Sequence, residues 1–157
     1  MAYPKFLNAA PPPLDLNSLR GQEWMARMPD TLESIPNIMK HTALTNQNTS
    51  LSATAFQGFV LQAGLYRVSY HARITTPATT GAATSSLTVT IAWTDGTVGQ
   101  SLAGAAMTGN TTTTRQSDVY LIRADASTNV TYATTYASNT ASQMKYSLDL
   151  ILEHVGD

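Results

Sequence analysis

None of the 157 residues is cysteine. Disulfides, thiolate catalysis and cysteine-ligated metals are therefore excluded, and nothing is implied about the redox state of the compartment. Charge is scarce as well. Asp, Glu, Lys and Arg make up 12% of the chain, about half the usual fraction of roughly 25%. The formal net charge is only −1, too little for long-range attraction to nucleic acid or to an anionic membrane surface. Neither is expected as a partner. The first residues lack the basic stretch and apolar core of a secretory signal, and no apolar run approaches the roughly 18 residues of a membrane span. The expectation is a soluble chain made in the cytoplasm. Also missing are a Gly-x-Ser-x-Gly elbow, a phosphate-binding loop, metal-ligand pairs such as His-x-His, and any internal repeat.

What is abundant is threonine, with serine, asparagine and an ordinary 43% of apolar residues. Threonine is β-branched and suits a pleated, half-exposed surface, so the bias favours strands. The clearest pattern starts at Gly64, where Tyr66, Val68, Tyr70, Ala72 and Ile74 alternate with Arg67, Ser69, His71 and Arg73. Period-two alternation describes a strand with one face in a core. It returns at Leu87, Val89, Ile91 and Trp93, at Val130, Tyr132, Thr134 and Tyr136, and at Met144, Tyr146, Leu148, Leu150 and Leu152. A first strand pair is expected over Ile38 to Asn46 and Ser50 to Phe59. Asp95-Gly96 is a strong turn signal; Val98 to Met107 is ambiguous, and Gly109 to Thr114 reads as a loop or weak edge. Seven or eight short strands separated by turns predict an all-β antiparallel jelly-roll sandwich over residues 38–157.

Residues 1–37 differ in kind. Pro4, Pro11, Pro12, Pro13, Pro29 and Pro36 fall here, each fixing φ and removing an amide donor. The segment is expected to be an extended, proline-rich arm, with a short helix between Leu14 and Met28 that Gly21 interrupts. Tyr3, Phe6, Leu14, Leu16 and Trp24 give it more apolar surface than a linker needs. Either the arm folds back on its own domain or it lies on a neighbouring subunit, and these five residues are its candidate interface.

Candidate chemistry is thin. His41, His71 and His154 sit on different strands, and Asp95, Asp118, Asp125, Asp149 and Glu153 read as turn formers or solvated side chains. Calcium between the turns at Asp95 and Asp125 lacks the alternating acids of a dedicated loop. No catalytic residue, metal or cofactor is expected. Tyr132, Tyr136 and Tyr146 have two readings: core packing, or the interface of a homotrimer, since a tyrosine buries a large apolar body while its hydroxyl seeks a partner.

The segment Gly64-Leu-Tyr-Arg-Val-Ser-Tyr-His-Ala72 resembles the Gly-x-Tyr-x-x-x-Tyr-His strand of the trimeric jelly rolls of the complement C1q and tumour necrosis factor class. More broadly, the run from Gly64 to Glu153, with Ser85 to Gly96 and Ala105 to Asn110 within it, is similar to small virion proteins of tailed bacteriophages. The resemblance implies a homotrimeric capsid decoration, or cement, protein on the outer surface of the virion, bound to a major capsid protein or another virion protein. The alternative it leaves is the head of a phage fibre, collar or tail appendage that binds a receptor or carbohydrate.

Overall fold

A computed structural model of the chain describes residues 37–56, 62–78, 85–138 and 143–156. The expected arm, its helix and the residues Tyr3, Phe6, Leu14, Leu16 and Trp24 lie outside them. Nine strands follow in order: β1 (Asn37–Gln47), β2 (Thr54–Ala55), β3 (Gly64–Thr76), β4 (Ser86–Asp95), β5 (Val98–Ala103), β6 (Met107–Thr108), β7 (Arg115–Ala124), β8 (Thr131–Ala137) and β9 (Lys145–Gly156). No helix occurs among the described residues. One sheet has the order β1-β9-β3-β7 and the other β2-β8-β4-β5, with β6 also on β4. All pairings are antiparallel. The partners nest, β1 with β9, β2 with β8, β3 with β7 and β4 with β5, which is the wrapping of a jelly roll.

Alternation decides which side chains meet between the sheets. Tyr66, Val68, Tyr70, Ala72 and Ile74 of β3 are buried, as are Leu87, Val89 and Ile91 of β4 and Tyr146, Leu148, Leu150 and Leu152 of β9. Each fully buried Leu, Ile or Val side chain stabilises the fold by about 1.5–3 kcal/mol relative to exposure. Trp93 continues the inner face of β4 and packs half-buried against this core.

The first strand pair is a correction. β1 runs beside β9, from Asn37 opposite His154 to Gln47 opposite Tyr146, while the short β2 pairs with β8. The two segments therefore go to different sheets instead of forming a hairpin. The hairpin at Asp95-Gly96 is present: Asp95 faces Val98, and both central residues have positive φ, 57° at Gly96 and 69° at Thr97. Positive φ is unfavourable for a β-branched residue, and the turn is held from outside. The Gly96 amide donates to Asp125 Oδ1 at 3.1 Å and the Thr97 amide to Asp125 Oδ2 at 2.9 Å. The carboxylate considered for calcium is thus occupied by backbone donors.

Of the two readings of the tyrosines, the structure shows core packing for Tyr132 and Tyr146, which are 6% and 0% exposed. Both side chains are enclosed within the single chain. Tyr132 meets Phe56 edge to face at 5.1 Å. The Tyr146 hydroxyl donates to the Thr49 carbonyl at 2.9 Å and lies 2.8 Å from Thr134 Oγ1, which also accepts from the Leu51 amide at 2.9 Å. Half-buried Tyr136 donates its hydroxyl to the Met144 carbonyl at 2.6 Å, and its amide donates to Ser50 Oγ at 3.0 Å. Together these bonds tie the chain between β1 and β2 to both sheets. The hydroxyls find their partners inside the domain.

Replacing Thr134 with Val keeps the side-chain shape but leaves the Leu51 amide without that acceptor. Thr134→Val is expected to lower stability by about 1–3 kcal/mol in chemical denaturation; a change within experimental error contradicts the network. Burial first, and then the hydrogen bond to Asp118, push the Tyr70 hydroxyl well above its ordinary value of 10.0, and burial pushes up Tyr146 likewise. Above that ordinary value the unfolded chain releases tyrosine protons that the folded chain keeps, so these groups' stabilisation is complete below pH 10 and is lost as pH rises toward the folded values. Denaturation midpoints should fall steeply in this alkaline range, and the fall should flatten in Tyr70→Phe and Tyr146→Phe.

Candidate functional site

The two outer faces of the sandwich are chemically unlike. On the sheet containing β4 and β8, the register sets Ser86 beside Ala137, Thr88 beside Thr135, Thr90 between Ala133 and Ala103, and Ala92 between Thr131 and Ser101. In these rows no side chain is larger than threonine and none is charged. Every lysine and arginine of the described residues, namely Lys40, Arg67, Arg73, Arg115, Arg123 and Lys145, belongs to the other sheet.

On that four-stranded sheet the outer face forms rows across the strands. One row runs Ile38, Glu153, Arg67, Leu121, and the next His41, Ile151, Ser69, Val119. A third carries Ala43, Asp149, His71 and Ser117, and beyond it Ser147, Arg73 and Arg115 align. Ile38 is 60% exposed, and Val119 and Leu121 are each 64% exposed. The water-facing side of an antiparallel sheet is ordinarily polar, so large apolar residues at both edge strands mark this face. They were not singled out from the sequence. The available signal was the run Val119-Tyr120-Leu121-Ile122, in which both strand faces are apolar.

Between those apolar edges lies an ion pair, Arg67 Nε donating to Glu153 Oε2. That hydrogen bond holds the Glu153 carboxyl below its ordinary range and the Arg67 guanidinium above its own. His41 Nε2 stands 4.0 Å from Asp149 Oδ1, and His71 Nδ1 lies 2.7 Å from Ser117 Oγ. The expected polar outward face of β3 is observed.

Inside the sandwich, the Tyr70 hydroxyl donates to Asp118 Oδ2 at 2.7 Å, and Gln116 Nε2 donates to the same oxygen at 3.2 Å. Gly104 packs directly over this group, where a Cβ would overlap the Tyr70 hydroxyl. Asp118 is thereby a hydrogen-bonded anchor. The acids weighed as catalysts are dispersed: Asp118 beneath Gly104, Asp125 on the hairpin amides, Asp149 and Glu153 on the outer face, and Asp95 at the end of β4. Among the described residues no three His, Asp or Glu side chains converge as a metal site.

No family profile and no curated protein matches the sequence. Solved structures similar to it include the CBM22-1 xylan-binding domain of Paenibacillus barcinonensis Xyn10C, at 15% identity, covering 79% of this chain and 91% of that one, with a TM-score of 0.39. Another is a pentameric capsid protein from metagenomic phage sequences, at 14% identity, covering 96% of this chain and 81% of that one, with a TM-score of 0.37. Likenesses of this degree assign neither a function nor a partner to this chain, and the fold rests on its own strand pairing.

Proposed function

We propose that this chain is a structural virion protein, a jelly-roll subunit that joins copies of itself through the outer face of the four-stranded sheet and serves as a homotrimeric decoration protein on the outer capsid surface. The observation that carries the reading is the exposure of Ile38, Val119 and Leu121 on that face. A second copy is the occupant that fits. The face mixes apolar edges with both signs of charge, Arg67, Arg73, Arg115 and Arg123 together with Asp149 and Glu153, so a rotated copy can set arginine against carboxylate across the contact. Burying exposed apolar area contributes about 25 cal/mol per Å² before ordering costs are deducted.

The resemblance of Gly64 to Ala72 to trimeric jelly rolls supports three copies, and the similarity of Ser85 to Gly96 to small phage virion proteins supports the setting. A non-enzymatic role accords with acids engaged by tyrosine, backbone amides and arginine. In this reading residues 1–37 form the attachment arm, which grips a major capsid or other virion protein through Tyr3, Phe6, Leu14, Leu16 and Trp24. A proline-rich segment suits the task because it loses less entropy on docking than a flexible one.

Purified full-length chain should run as a trimer in native mass spectrometry. Val119→Asp combined with Leu121→Asp should shift it toward monomer while leaving its β-sheet circular dichroism unchanged. Deleting residues 1–37 should leave a folded, self-associating domain whose occupancy on particles lacking the native protein falls sharply. Monomer at every concentration would refute the self-association reading; unchanged occupancy after truncation would refute the arm.

A further inference from the structure

Where β3 and β7 stop pairing, at one end of the charged outer face, Arg73 stands directly opposite Arg115. Like charges in that position repel across neighbouring strands. A cleft of ≈ 370 Å³ opens at the same place, lined by His71, Arg73, Ile74, Thr75, Thr112 and Arg115. Among the described residues the ion pairs are His41 with Asp149 and Arg67 with Glu153, so neither cleft arginine is paired with a carboxylate of these residues. Asp149 is the nearest acid in register, but it faces His71, and the β9 residue opposite Arg73 is Ser147. Two residues before Ser147, Lys145 adds a further cation at this end of the sheet.

The remaining polar groups point to the same kind of ligand. Thr75 Oγ1 is buried without a hydrogen-bond partner, and an unmet buried hydroxyl is costly. His71 is held in place by its contact with Ser117. Two guanidiniums can only donate, and their planar forks match the paired oxygens of a carboxylate or the face of a phosphate. The cleft is rich in donors, carries positive charge and, among the described residues, is lined by no acidic side chain.

We propose that this cleft is an oxyanion-binding site in which Arg73 and Arg115 grip one carboxylate or phosphate group between them and Thr75 and Thr112 supply hydroxyls. The group has two possible sources, a free inorganic anion or an acidic side chain of a neighbouring protein. Binding relieves the repulsion between the arginines, which is why the site can persist in a chain with so few charges. The inference does not depend on the virion reading, since a lone chain in solution would carry the cleft unchanged.

The test is a titration of the full-length protein at low ionic strength with sodium phosphate in one arm and N-acetylglutamate N-methylamide in the other, followed by melting temperature and isothermal calorimetry. Saturable binding is expected in at least one arm. Arg73→Gln and Arg115→Gln should each weaken it about tenfold or more, whereas Arg123→Gln, at the other end of β7, should not. Without ligand, Arg115→Gln should melt no lower than the wild type, since it removes a like-charge pair; this also shows that the variant folds. Saturation by phosphate alone identifies a free anion as the ligand, and saturation by the glutamate derivative identifies a protein carboxylate. A response that sodium chloride reproduces at equal ionic strength, or that is the same in wild type and both glutamine variants, overturns the proposal.

Discussion

The central constraint on this molecule is the register of β9 between β1 and β3. That last long strand is hydrogen-bonded on both sides, and its inner residues Tyr146, Leu148, Leu150 and Leu152 are almost wholly buried. Because side chains alternate at every step, a slip of one residue would exchange this apolar set for Ser147, Asp149, Ile151 and Glu153. The same register places Glu153 beside Arg67 and Asp149 beside His71. The core and the chemistry of the outer face are therefore fixed together.

The division of labour between the faces follows from that arrangement. The outer rows of the sheet of β4 and β8 present threonine, serine and alanine with no charged side chain, and the exposed Val98 and Leu102 of this sheet lie on its edge strand β5. The opposite sheet carries every described lysine and arginine together with the exposed Ile38, Val119 and Leu121. A subunit that must bind on one side and stay inert on the other would be built this way, because long side chains supply both the apolar area and the charge of an interface. Edge strands matter too: β1 and β7 flank this sheet, and the exposed apolar residues Ile38, Val119 and Leu121 lie on them.

Much of the fold is legible in the sequence wherever one face of a strand is apolar and the other is not. The buried faces of β3, β4, β8 and β9 follow directly from their alternation, and Asp95-Gly96 marks its hairpin. Less legible is β1, whose partner lies more than a hundred residues away at β9; local pattern carries no information about such a pairing. The Gly- and Ala-rich stretch that became β5 and β6 offers little periodic pattern, since every residue of β5 is exposed and only Met107 of β6 is buried. The tyrosines show a different limit. Their spacing reveals which face they share, yet only the packed structure shows that Thr49, Thr134 and Met144 satisfy the hydroxyls of Tyr146 and Tyr136. The outer face was hidden because Val119 and Leu121 alternate with Tyr120 and Ile122, which are apolar as well.

The claim that one outer face associates and the other does not is open to a direct measurement, because the absence of cysteine lets a single introduced thiol report on its surroundings. Thiol reactivity would be compared between assembled and dissociated protein for Val119→Cys on β7 and Thr135→Cys on β8. The account predicts that assembly shields the thiol at position 119 and leaves the one at position 135 as reactive as in the dissociated chain. Shielding at 135 with free reaction at 119 would contradict it.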